Sequence, residues 1–170
     1  YDFIEVKKAK KIKPLNYKIP SDISSGAFFI VLTTLADNSK LRIKNVNINS
    51  SRIGVITILK KMGANIKFEN KRNYKGEAIA DIIVNSSKKL KAINCSSKLN
   101  SQAIDEFLII FLVAAKSRGV SYFKDIGELN QKESPRLKWG SKILNKMGIK
   151  TITTDSSIKI FGNPNLKIKK

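Results

Sequence analysis

At 170 residues, with 42% apolar and 27% charged side chains, the chain can bury one sizeable core or two small ones, which excludes a disordered linker. Its 33 Lys and Arg against 13 Asp and Glu leave a net charge of +20, while one cysteine (Cys95) and no histidine exclude an internal disulfide and argue against a zinc site. No apolar run nears the roughly 18 residues that a spanning helix needs, so no membrane contact is expected.

The first residues lack the basic-then-apolar order of a signal peptide, which makes the cytoplasm the expected compartment. A positive field this large would suit nucleic acid, an acidic membrane surface or small phosphorylated ligands. The lysines are dispersed, however, with dense runs only at Lys7 to Lys13 and in the C-terminal tail, and no aromatic stripe accompanies them. Joint enrichment in Lys, Ile and Asn reads as the composition of an AT-rich genome. No nucleic-acid partner is therefore expected, although a basic nucleic-acid-binding module stands as an alternative.

Residues 1–19 read as a lead-in, a terminal strand and crossover ending at Pro20. Ser21 to Ser25 offers several N-caps for an apolar helix at about Ser24 to Leu35, whose lack of a polar stripe predicts burial nearly all round. Leu41 to Ile48 reads as a strand. A helix capped at Ser50 or Ser51 runs through Met62, with Gly63 where a left-handed residue is wanted. Strands at Asn65 to Phe68 and Ile79 to Val84 follow, joined by the basic, hairpin-like segment Lys71 to Gly76. The pattern then returns: a strand at Leu90 to Ile93, a helix at about Gln102 to Ser117 and a strand at Val120 to Ile126. A helix at Ser134 to Met147, closed by Gly148, and strands at Lys150 to Thr153 and Ser157 to Phe161 complete it.

The return is a repeat. Phe28 to Val46 matches Leu108 to Ile126 at an offset of 80 residues, and Ile58 to Gly63 matches Ile143 to Gly148 at an offset of 85. Two βαβαββ copies, about 20–88 and 89–162, make up most of the chain, and the five extra residues fall near the loop Glu128 to Lys132. Features present in both copies, such as Leu59 with Leu144, belong to the scaffold. Charges carried by one copy only are the better functional candidates, because Asp105 falls opposite Ser25 and Glu106 opposite Gly26.

Apolar helices in such a repeat imply helices inside and sheets outside, an α/β fold in which helix N-termini form an anion-friendly end. Asp105 would stand there as a carboxylate suited to accept a proton or bind a hydroxyl. Lys132 and Arg136 flank the next helix start and suit a phosphate or carboxylate. Ser134-Pro135 reads as an N-cap followed by proline at the first helical position, leaving Glu133 free to face a ligand. Cys95 has no histidine to activate it and reads as a core residue.

These residues carry a resemblance. Ser21-Asp22-Ile23-Ser24-Ser25-Gly26-Ala27-Phe28-Phe29, Ile104-Asp105-Glu106-Phe107 and Glu128-Leu129-Asn130-Gln131-Lys132-Glu133-Ser134-Pro135-Arg136 are similar to three motifs of the 5-enolpyruvylshikimate-3-phosphate synthase family. The Lys-Glu-Ser-x-Arg signature, in order with the other two, resembles that family over nearly all of the chain. The family's usual Asp is Pro135 here, its Gly is Ser21, and its Arg-Val is Asn130-Gln131.

The resemblance implies the inside-out α/β barrel-type domain of the enolpyruvyl transferases. It implies transfer of an enolpyruvyl group from phosphoenolpyruvate to the 5-hydroxyl of shikimate 3-phosphate. By match, Asp105 would accept the proton and orient the hydroxyl, and Glu133 would assist proton transfer at the enolpyruvyl carbon. Lys132 would bind shikimate 3-phosphate and Arg136 phosphoenolpyruvate. No metal or organic cofactor is implied, and the whole enzyme is expected to be a monomer. The sister enzyme that acts on UDP-N-acetylglucosamine shares the fold but lacks the Lys-Glu-Ser-x-Arg pattern. The chain is expected to be a piece of such an enzyme, with residues 20–170 one incomplete domain, and to be inactive alone.

Overall fold

The computed structural model describes residues 3–8, 11 and 14–166. Of the lysine run at 7–13 only Lys7, Lys8 and Lys11 fall among them, and the last four tail residues lie outside. The first copy comprises α1 (Ile23–Leu35), β1 (Lys40–Asn47), α2 (Gly54–Lys61), β2 (Asn65–Tyr74) and β3 (Glu77–Asn85). The second comprises β4 (Asn94–Cys95), α3 (Phe107–Lys116), β5 (Gly119–Phe123), α4 (Arg136–Lys146), β6 (Thr151–Thr153) and β7 (Ile158–Gly162).

The repeat survives as topology. One sheet has the order β1-β3-β2 and the other β4-β5-β7-β6, so each copy's last strand lies antiparallel between its two predecessors. A parallel pairing opens each copy, β4 beside β5 in the second and a single bridge from Ser21 to Val46 in the first. Even the backbone exceptions repeat. Asn45 (φ 54°) matches Asp125 (φ 58°), and Gly63 (φ 94°) matches Gly148 (φ 84°) just past α2 and α4.

The sheets flank a helical interior. α3 packs against α1, α2 and α4, and its Phe107 and Phe111 meet Phe123 of β5 with ring centroids 5.8 and 5.3 Å away. All three rings are fully buried.

Several elements differ from the sequence reading. The helix expected from Gln102 starts at Phe107, because the Gln102 carbonyl accepts the Gly54 N–H (3.1 Å) and docks this turn on the start of α2. Ser50 and Ser51 do not cap α2. Asn49 Oδ1 instead accepts the Ser51 N–H (3.0 Å) and hydroxyl (2.9 Å), a local turn that delays the helix to Gly54. The segment Lys71 to Tyr74 belongs to β2, and the turn itself is Lys75-Gly76, with φ 50° and 91° as a tight hairpin needs. From Leu90 to Ile93 only Lys91 makes a bridge, to Arg118, and the paired strand is Asn94–Cys95.

α1 is not buried all round: Phe28, Phe29 and Leu32 are each at least 60% exposed. Its neighbours are α3 and the β1–β3 sheet, which leaves one face open. The matching residues on α3 are better covered, Ile109 buried and Leu108 and Leu112 half-buried, with α4 seating Gly140 against Leu108.

Candidate active site

The end of the domain where α1 and α3 begin is built by backbone-directed side chains. Asp22 caps α1, its Oδ2 accepting the Ser25 N–H and hydroxyl at 2.8 Å each. Partial burial works to raise the Asp22 carboxyl, but those bonds, the Ser24 N–H and Arg52 hold it below the ordinary carboxylate range. Asp105 stands in the turn before α3, and Glu106 occupies the cap position without a side-chain capping bond.

The loop 124–135 is pinned by two asparagines. Asn100 donates to the carbonyls of Lys124 (2.9 Å) and Asp125 (2.8 Å). Asn130 donates to the Asp155 carbonyl (3.1 Å) and accepts the Lys138 N–H (3.3 Å), satisfying a free donor in the first turn of α4. Pro135, not Ser134, occupies the α4 cap position, and neither makes a side-chain capping bond. Asn130 reaches that turn from outside, so the local cap is dispensable.

This framework brings all four expected residues together. Arg136 Nη1 lies 3.4 Å and Lys132 Nζ 3.7 Å from the same oxygen of Asp105. Arg136 Nη2 also holds Glu133 at 2.9 Å, and Lys132 reaches Glu128 at 3.4 Å. The cations are the better packed partners: their side chains are 25% and 26% exposed, against 41% for Asp105 and 83% for Glu133. Glu133 is held below the usual range by its own backbone N–H and by the Arg136 guanidinium.

Pairs this open to water are weak, so they exchange partners at little cost. Two half-packed cations at one carboxylate suit capture of an anion whose hydroxyl or leaving group must face a base. Among the described residues no group of three or more His, Cys, Asp or Glu is placed to hold a metal ion.

The sequence reading did not assemble one further layer, contributed by the first copy. Arg52 donates to the Ser24 hydroxyl (3.2 Å), and both face Glu106, which is 5% exposed. Burial pushes the Glu106 carboxyl up, and neighbouring Asp105 adds to the rise, while Ser24 and Arg52 oppose it. Its signal in the sequence was a carboxylate directly before a helix that is apolar from Phe107 to Ala115.

The 3-phosphoshikimate 1-carboxyvinyltransferase (EPSP synthase) family model matches residues 2–169. This chain belongs to the EPSP synthase family. A 3-phosphoshikimate 1-carboxyvinyltransferase of Ruthia magnifica subsp. Calyptogena magnifica is 43% identical over 85% of the chain, and one of a Thermoanaerobacter species is 42% identical over 88%. EPSP synthase from Acinetobacter baumannii superposes with a TM-score of 0.82 at 41% identity, over 85% of this chain and 33% of that one. The enolpyruvyl transferase NikO from Streptomyces tendae (TM-score 0.52, 16% identity, 85% of this chain and 30% of that one) shares the fold. The expected α/β enolpyruvyl transferase architecture, with repeated units and interior helices, is thus the EPSP synthase one. The chain spans about a third of the length of the curated EPSP synthases that it matches.

Proposed function

We propose that the protein to which this chain belongs transfers the enolpyruvyl group of phosphoenolpyruvate to the 5-hydroxyl of shikimate 3-phosphate, a step toward aromatic amino acids. The observation that carries the reading is the shared Asp105 oxygen, with Lys132 and Arg136 both within 4 Å of it. Membership of the EPSP synthase family supports it over transfer to a UDP-amino sugar and over a nucleic-acid-binding role.

In this reading Lys132 binds shikimate 3-phosphate and Asp105 takes the proton of its 5-hydroxyl, whose oxygen attacks C2 of phosphoenolpyruvate. Arg136 binds phosphoenolpyruvate, leaving Glu133 to manage the proton at C3. A proton arrives at C3 as the tetrahedral adduct forms and departs as the C2–O bond to phosphate breaks. The overall change moves the enolpyruvyl group and releases phosphate, with no metal or organic cofactor. An incoming anion takes Arg136 from Glu133, which frees that carboxylate for proton transfer.

We further propose that residues 20–170 are the larger part of one domain and 1–19 a crossover from another, so that the chain alone is inactive. The whole protein acts, in this reading, as a cytoplasmic monomer. Calorimetric titration of the chain with shikimate 3-phosphate tests the site. Weak binding lost in Lys132→Ala is expected. Binding that is indifferent to the substitution, and equal for unrelated anions, overturns the assignment.

A further inference from the structure

We propose a second anion site, for a small oligophosphate, in the cleft at the opposite end of the domain from Asp105. The cleft has a volume of about 700 Å³, a size that suits a ligand larger than a single phosphate. Leu35 and Lys116, the last residues of α1 and α3, line it, so the length of α3 (about 15 Å for ten residues) separates it from Asp105. The proposal is independent of the reaction assigned above.

Charge is what marks the cleft. Lys88, Lys89, Lys91, Lys116 and Arg118 are half of the residues lining it, against one acid, Asp37, although only about one residue in five of the chain is Lys or Arg. Composition alone does not produce that density. Lys116 is already engaged: its Nζ donates to the carbonyls of Pro164 (3.0 Å) and Leu166 (3.1 Å), in the segment that follows β7. Among the described residues the other four make no ion pair, Asp37 included.

Backbone bonds anchor Lys91 and Arg118 directly and pin Ser87 just before Lys88 and Lys89. Ser87 N–H is fixed on the Thr34 carbonyl (3.0 Å) and Lys91 N–H on the Met62 carbonyl (2.9 Å). Arg118 donates to Leu90 (3.0 Å) and accepts from Ala92 (3.0 Å), a parallel bridge that sets Lys91 and Arg118 side by side. Gly63, at φ 94°, lets this segment close in, since a Cβ there would stand 3.0 Å from the Lys89 carbonyl. Like charges fixed side by side on ordered backbone repel one another until an anion enters. Several cations spread along one wall match several phosphoryl groups, and not one carboxylate. The cleft lies at the seam between the two copies, so neither copy alone would form it.

The test is a titration of the isotope-labelled chain with tripolyphosphate at about 0.15 M salt, where diffuse attraction is damped. Expected are saturable binding, amide shifts centred on 87–91 and 116–118, and at least tenfold weaker affinity in K91Q/R118Q. The control K142Q/K146Q, on α4, removes as much charge elsewhere and should leave the affinity within twofold. Adenosine triphosphate in place of tripolyphosphate separates the sources: equal affinity assigns recognition to the phosphates, tighter binding adds the nucleoside. Shifts scattered over lysines throughout the chain, equal losses in both double variants, or no saturation overturn the proposal. Circular dichroism verifies that the variants, all at surface positions, remain folded.

Discussion

Asp105 and Arg136 are coupled through one oxygen, and that contact sets what each substitution does. On the proposed function, Asp105→Asn in the whole protein keeps the shape but removes the proposed proton acceptor, and kcat should fall by about 10²–10⁴-fold in a steady-state assay. Arg136→Lys is not conservative, because Nη1 and Nη2 serve Asp105 and Glu133 separately and an ammonium cannot reproduce that fork. On the same proposed reading it should weaken phosphoenolpyruvate binding by roughly tenfold, about 1.4 kcal/mol, read as a rise in KM. Asp22 offers a stability readout. Its carboxyl is lowered in the folded chain, so its capping contribution is present above the ordinary value of 3.8 and is lost as pH falls through the lower folded value. Asp22→Ala should cost about 1 kcal/mol in urea unfolding at neutral pH, and the difference should shrink on acidification into that range.

Among the elements, α3 carries the packing and the loop before α4 carries the site. Gly140→Ala would place a Cβ 2.8 Å from Leu108 and 3.3 Å from Phe111, prising α4 from α3. A loss of about 1–3 kcal/mol is expected from this overpacking, measured by urea unfolding. The loop depends on Asn130, which joins it both to Asp155 and to the first turn of α4. The motif matching to Lys-Glu-Ser-x-Arg was legible in the sequence, yet Ser134 as the cap was not borne out. A cap position is chosen by where the chain arrives, and here the Asn130 amide had already met the free N–H. The late start of α3 has the same cause: Gln102 bonds to Gly54, a residue of the other copy, and local propensity cannot anticipate that partner.

The molecule as a whole is two similar units whose seam carries what neither holds alone. Glu106 is buried there between Ser24 and Arg52 of the first copy. Its carboxyl is raised, so the folded chain holds that proton more tightly than the unfolded chain does, and the cost of ionising it in the fold is fully felt only once pH has risen past the raised folded value. Glu106→Gln should therefore be at least as stable as the parent at neutral pH, and the gap should close as pH falls toward the ordinary value of 4.5, followed by urea unfolding.

The sequence by itself determined the family, the repeat, the order of elements and the four charged residues on which the proposed function rests. Each of these rests on residue type and spacing along the chain, which are local quantities. Only the tertiary structure decided that Lys132 and Arg136 share one oxygen of Asp105, that Glu106 is buried against the first copy, that one face of α1 stays open, and that lysines from the seam line one cleft. Those facts depend on which distant segments meet, and a contact between residues tens of positions apart leaves no mark in the periodicity of either.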